Sequence, residues 1–98
     1  MARGEVIPLI ADEQIAVTNV TNGNVRAAPG IITGIWVQAS TAGTIAIYDD
    51  AATGTSKVLV PSGTPLAVGW IPFAIKFLKG LNVVGGGTLT ASIYVENP

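Results

Sequence analysis

The stretch Thr88-Leu89-Thr90-Ala91-Ser92-Ile93-Tyr94-Val95-Glu96 alternates strictly between polar and apolar side chains. Side chains of a β-strand point to opposite faces every two residues, so this stretch predicts a half-buried antiparallel strand. The residues predicted to face the core are Leu89, Ala91, Ile93 and Val95.

Other segments of the chain show the same β pattern, with turn signals at intervals of roughly 8–12 residues. They are rich in β-branched and aromatic residues, and no window of a dozen residues has helical spacing. The further predicted strands are 14–21, 25–27, 30–38, 44–48, 57–60, 73–77 and 81–84. The fold is therefore predicted to be all-β, a single-domain antiparallel β-sandwich or jelly-roll-like barrel over residues 14–98.

Glycine, proline and asparagine mark the predicted turns. Asn22-Gly23 favours a tight hairpin that leads into a return strand at 25–27. The uncharged stretch 27–48 is long enough to cross a bilayer, but its glycines and polar residues favour two strands joined by a turn. Pro61-Ser62-Gly63 is predicted to close the strand before it, and Gly85-Gly86-Gly87 to form the turn into the last strand.

Alternation also assigns side chains to faces. In each of four predicted strands, one set of residues is predicted to share a face. The four sets are Ile15 and Val17; Ile31, Thr33, Ile35 and Val37; Ile45 and Ile47; and Phe73, Ile75 and Phe77. Ile45 and Ile47 are predicted to point inward. Ile32 and Trp36 are predicted to lie on the face opposite Ile35.

The composition indicates a surface that another protein covers. Of the 98 residues, 49% are hydrophobic and only 11% are charged, whereas an ordinary soluble domain carries roughly 25% charged residues. Tryptophan and tyrosine are common anchors of protein interfaces. Trp36 and Trp70 are therefore candidate interface residues, unless a two-layer sandwich buries them. The segment Trp70-Ile71-Pro72-Phe73 is predicted to be an exposed apolar loop and the first point of contact.

Several functions are not expected from these residues. The chain has no cysteine and no histidine, so disulfides, thiolate zinc sites and histidine bases are excluded. Its five Lys and Arg residues are scattered and its net charge is −1, which does not suit nucleic-acid binding. The first residues do not resemble a secretory signal, so assembly in a cytoplasm is expected. We expect no enzymatic activity, no cofactor and no membrane contact.

Asp49-Asp50 is the segment of the sequence that comes closest to a metal site. Two carboxylates with Thr53 nearby supply too few oxygen ligands for a calcium loop, unless backbone carbonyls or a neighbouring chain add more. The favoured interpretation is a solvated turn whose aspartates bond to their own backbone.

A family resemblance rests on four segments: Ile35-Trp36-Val37-Gln38; the stretch 42–49, which ends in Ile47-Tyr48-Asp49; the stretch 73–81, which ends in the turn Phe77-Leu78-Lys79-Gly80-Leu81; and Gly86-Gly87-Thr88 leading to Tyr94. Over residues 30–96 the chain resembles small structural proteins of tailed phages. These are short β-sandwich proteins of the capsid or tail and include capsid decoration (cement) proteins. The resemblance implies a homo-oligomer, typically a trimer, bound to the major capsid protein on the capsid surface of the virion.

Residues 1–13 lie outside that pattern and are predicted to be an extended N-terminal arm. The resemblance implies that such an arm grips a neighbour or the capsid lattice by adding a strand to another sheet. The residues predicted to form the assembly interface are Val6, Ile7, Leu9, Ile10, Trp36, Trp70, Ile71 and Phe73.

Three functional hypotheses follow. The leading one is a non-enzymatic virion protein, a capsid decoration protein that binds capsomers and stabilises the head lattice. The alternative is a phage tail or fibre module that binds a host glycan, with Trp and Tyr stacking on sugars and Asp49 or Asp50 bonding hydroxyls. The third is a passive β-module within a larger bacterial assembly.

Overall fold

The computed structural model describes residues 13–98, and every regular element in this range is a β-strand. All pairings between these strands are antiparallel, which confirms the predicted all-β class. The strands are β1 (Glu13–Thr18), β2 (Asn22–Arg26), β3 (Gly30–Tyr48), β4 (Val58–Pro65), β5 (Gly69–Phe77) and β6 (Leu81–Glu96).

Two long strands form the centre of the sheet. β3 and β6 pair along almost their whole length, from Ile31 opposite Glu96 to Tyr48 opposite Asn82. Each outer edge of this pair is covered by two shorter strands placed end to end. β1 and β2 lie along β6, and β5 and β4 lie along β3.

The pairing order defines two halves. The first half has the order β1-β6-β3-β5, and the second half has the order β2-β6-β3-β4. This is the strand order of a jelly roll in which four of the eight strands have joined into two continuous ones. The topology is thus the jelly-roll form of the predicted fold.

Side chains from both halves form one hydrophobic core. The alternation of the last strand is confirmed, because Leu89, Ala91, Ile93 and Val95 are all buried. The predicted inward residues Ile45 and Ile47 of the second half belong to the same cluster. The other members of the buried cluster are Ile15, Val17, Ile32, Ile35, Val37, Val60, Phe77, Leu81 and Val83.

The predicted hairpin at Asn22-Gly23 is wrong. Both residues lie inside β2, where they pair with Val84 and Val83 of β6. The chain bends before them, where the Thr21 amide donates to the Thr18 carbonyl at 3.1 Å. β1 and β2 are both antiparallel to β6, so they run in the same direction and no reversal occurs. Pairing with the long β6 strand outweighs the local turn preference of Asn-Gly.

The predicted turns at 39–43 and 85–87 are bends within β3 and β6. The pairing of the two strands shifts register between Thr41 and Thr44, and Ala42 and Gly87 there have φ of 54° and 69°. A Cβ at Gly87 would overlap the carbonyl oxygen of Ala42. The two strands therefore bend together, and the sheet folds over without losing the pairing on either side.

Bulges explain two smaller differences from the predictions. A register shift between Ile32 and Gly34 turns Ile32 into the core beside Ile35, so the predicted grouping of Ile35 with Ile31 and Thr33 is wrong. In β4, Pro61-Ser62-Gly63 does not close the strand. These residues form a bulge between two residues that still pair with β3, which suits proline on an edge strand.

A buried carboxylate fastens the β5–β6 connection to the end of β3. Asp49 is 4% exposed, and its side chain accepts hydrogen bonds from the amides of Leu78 (2.9 Å), Lys79 (2.8 Å) and Gly80 (3.3 Å). Burial opposes its charged form. The three amide donors and the charge of Lys57 outweigh that cost and hold the pKa of Asp49 below its ordinary value.

Replacing Asp49 by asparagine tests this anchor. We expect Asp49→Asn to lower the free energy of unfolding by about 2–3 kcal/mol, because buried amides lose a charged acceptor. Because folding lowers this pKa, the stabilisation is complete above the unfolded value of about 4 and is lost as pH falls through the folded value. Urea denaturation between pH 7 and pH 2 measures both effects.

The matched control is Asp50→Asn, because within residues 13–98 the Asp50 carboxylate accepts only the amide of Ala52 in its own loop. We expect it to cost less than about 1 kcal/mol. Equal losses for the two variants would contradict the role given to Asp49.

Alanine substitution at the bend tests the crowding at Gly87. Gly63 has a similar positive φ of 79°, but its Cβ would meet nothing within 4 Å. We expect Gly63→Ala to cost about 1 kcal/mol through backbone strain alone, and Gly87→Ala to cost about 3 kcal/mol or more through strain plus overlap. Urea denaturation compares them, and similar values would show that the bend is not crowded.

Candidate functional site

Three aromatic side chains lie together on the outer face of the first half. Trp36 on β3 is directly opposite Trp70 on β5, and Tyr94 on β6 is opposite Gly34 of β3. The rings of Trp70 and Tyr94 meet edge to face, with centroids 5.6 Å apart and planes at 72°. We name Trp36, Trp70 and Tyr94 the aromatic ridge.

Glycine at position 34 allows the ridge to form. A Cβ at Gly34 would overlap the indole ring of Trp70, so this ring lies directly over the β3 backbone between β5 and β6. Trp70 is half-buried by that packing, whereas Trp36 remains 44% exposed. The ridge thus has a fixed base and one open indole ring, which agrees with the predicted outward direction of Trp36.

The neighbours of Trp36 on the outer face are polar and uncharged, whereas Lys76 and Glu96, both opposite Ile31, carry charge beyond Tyr94. Gln14 of β1 donates a hydrogen bond to the Ser92 hydroxyl of β6 at 3.1 Å, and Thr90 and Gln38 are exposed on neighbouring outward positions. Val68, which is 63% exposed, comes just before β5. A flat surface of this kind suits contact with another protein or with a sugar ring.

A second surface lies where the two halves meet at the edge formed by β4 and β5. It is an apolar groove of about 140 Å³ that opens to solvent. Six of its seven lining side chains are hydrocarbon, and Thr64 is the exception. The residues that line the apolar groove are Ile35, Ile45, Val60, Thr64, Leu66, Ile71 and Phe73.

The segment Trp70-Ile71-Pro72-Phe73 divides between these two surfaces. Its prediction as an exposed loop is wrong, because all four residues lie in β5. Strand alternation sends Trp70 to the outer face and Ile71 and Phe73 inward, where they pack against the core. The predicted interface residues Val6, Ile7, Leu9 and Ile10 lie outside the described residues.

The sequence does not predict that Val60, Thr64 and Leu66 contribute to the groove. They come from β4 and its connection to β5, and they meet Ile35 and Ile71 through folding of the two halves. No local sequence pattern indicates that these residues lie close together. Only Ile71 and Phe73 could be predicted from the sequence to take part in such a surface.

Both aspartates accept hydrogen bonds from backbone amides. The Asp49 carboxylate is buried against three amides, which differs from the predicted solvated turn, whereas Asp50 bonds to its own loop as predicted. Within residues 13–98 no three His, Cys, Asp or Glu side chains are placed to bind a metal together. The same residues contain no helix that could serve as a membrane span.

Neither a protein-family model, nor a curated protein, nor a solved structure matches the chain. The function of the chain is therefore inferred from its two surfaces.

A double-mutant cycle tests the packing of Trp70 over Gly34. We expect Gly34→Ala to destabilise the fold by about 1–3 kcal/mol, because the added methyl group displaces the indole ring. In a Trp70→Ala background the same substitution should cost much less, since the ring is gone. Chemical denaturation gives the four stabilities, and additive effects would contradict this packing.

Proposed function

We propose that the chain is a non-enzymatic structural protein of a phage virion, a capsid decoration protein that binds capsomers and stabilises the head lattice. The observation that carries the proposal is the aromatic ridge. Its three rings lie on the sheet face that the core does not use, and Trp36 is the most open of them.

The ridge has the chemistry of an interface anchor. Burying one large apolar side chain contributes roughly 1.5–3 kcal/mol, and tryptophan and tyrosine dominate the binding energy of many interfaces. Trp70 and Tyr94 brace each other over Gly34, so little side-chain freedom remains for binding to restrict. Most of the surface that a partner covers together with Trp36 is therefore already ordered before binding.

The mechanism is mechanical. A protein that binds the closed lattice, but not separated capsomers, stabilises the lattice in proportion to its occupancy and affinity. Many symmetric copies multiply that effect, and trimers suit positions of threefold symmetry. The major capsid protein is the proposed partner, and the virion surface, reached after assembly in the host cytoplasm, is the proposed location.

The remaining features agree with a role without catalysis. Asp49 is committed to three backbone amides, and the chain has no histidine or cysteine. Jelly rolls are common in viral capsid proteins, but they also form lectin domains. The fold alone therefore does not distinguish between these functions, so the proposal depends on the chemistry of the surface.

A glycan-binding tail or fibre module is the second candidate. It is favoured by the open Trp36 ring between uncharged polar side chains such as Gln38 and Ser92, because sugars stack on indole rings and bond to amides and hydroxyls. Asp49 does not contribute to such a site, since its carboxylate is buried.

Trp36→Ala tests the proposal in a co-sedimentation assay. Capsids of the same virus assembled without this chain are mixed with the wild type and the variant. We expect roughly tenfold weaker binding or more for the variant, with a stability within about 1 kcal/mol of the wild type because the side chain is exposed.

The matched control is Leu78→Ala, since Leu78 is exposed in the β5–β6 connection and does not belong to the ridge. It should bind capsids as the wild type does. Unchanged binding of Trp36→Ala would overturn the proposal, and loss of binding to a glycan array in that variant would favour the second candidate.

A further inference from the structure

We propose that the segment 6–10 of one copy binds in the apolar groove of a second copy. This inference deepens the proposed self-association of the chain. It does not depend on the identity of the capsid partner.

The groove suits a branched aliphatic side chain. Its lining carries no charge, and its volume of about 140 Å³ is close to that of an apolar cavity that holds a benzene molecule. Ile71 and Phe73 of β5 line it together with Val60 of β4 and Leu66, which follows β4. A single leucine or isoleucine side chain would fill most of this space.

The two strands at the mouth of the groove are sheet edges. Within residues 13–98, β4 and β5 each pair only with β3, so each has an outer edge with free backbone groups. An extended segment that enters the groove can bond to one of these edges while its side chains occupy the apolar space.

The segment Val6-Ile7-Pro8-Leu9-Ile10 has the matching composition. It places four aliphatic side chains within five residues, carries no charge, and lies between Glu5 and Asp12. In an extended chain Ile7 and Leu9 point to the same side. Pro8 removes one backbone donor, which a strand added at a sheet edge tolerates.

The geometry of the described residues assigns the segment to a second copy. Glu13 begins β1 and forms an ion pair with Arg26, so the chain enters the fold at the edge opposite β5. Three strand spacings, about 14 Å, separate those edges. Glu13 is level with Ile75 through Val95 and Ile32, and the groove residue Ile71 lies four residues, about 13 Å, further along β5. The groove is therefore about 19 Å from Glu13 across the sheet, whereas Leu9 of the same chain reaches at most about 14 Å from Glu13.

Cysteine crosslinking tests the contact, because the wild-type chain contains no cysteine. Full-length Leu9→Cys is mixed with full-length Thr64→Cys, which places a thiol of similar size in the groove wall, and the mixture is oxidised. We expect roughly tenfold more crosslinked dimer on a non-reducing gel than from Leu9→Cys mixed with Val20→Cys, since Val20 is exposed but lies between β1 and β2.

The doubly substituted chain Leu9→Cys/Thr64→Cys separates the two possible sources of the segment. Crosslinked dimers and higher oligomers support the proposal. A crosslinked monomer of altered mobility would overturn it in favour of the chain's own segment, and yields equal to the Val20 control would overturn it altogether.

Light scattering on uncrosslinked protein gives an independent readout. We expect Leu9→Asp to reduce the particle mass toward that of one 10.0 kDa chain, whereas Ala2→Asp adds the same charge outside the apolar run and should leave the mass unchanged. Equal masses for the two variants would contradict the proposal. No capsid is present in these experiments, so their failure would leave the capsid-binding test of Trp36 unaffected.

Discussion

The pairing of β3 with β6 is the constraint on which the rest of the structure depends. Both strands continue through the bend at Thr41–Thr44 and Gly87, so the sheet folds over while its central ladder remains intact on either side. The four shorter strands lie along the two edges of this folded ribbon. The single core follows, because the inner faces of both halves are brought together by this one bend.

The two faces of this folded sheet have different roles. Branched aliphatic side chains fill the inner face, and the outer face is free to carry Trp36 and Trp70. β5 serves both, since alternation places Trp70 outside and Ile71 at the groove. Contact with a lattice partner and contact between copies are therefore expected to use opposite sides of one strand, so the two can form at the same time.

The sequence predicted what depends on local alternation and failed where distant residues compete. The inward residues of the last strand, Leu89 to Val95, follow from a two-residue period and are correct. Asn22-Gly23 and Gly85-Gly86-Gly87 both have a local preference for turns. Each lies opposite a long partner strand, however, and continued hydrogen bonding to that strand is more favourable than a turn. The groove could not be predicted, because its walls come from β4 and β5 and meet only after the sheet has folded.

The low charge of the chain has a physical consequence for both surfaces. Of its few charged groups, Asp49 is buried against amides and Arg26 is used in an ion pair with Glu13. The outer face around Trp36 carries hydroxyls and amides, which cost less to remove from water than charges do. A partner that covers Trp36 therefore gains the burial of the indole ring with little opposing cost, and changes in salt should weaken such a contact far less than one made by ion pairs.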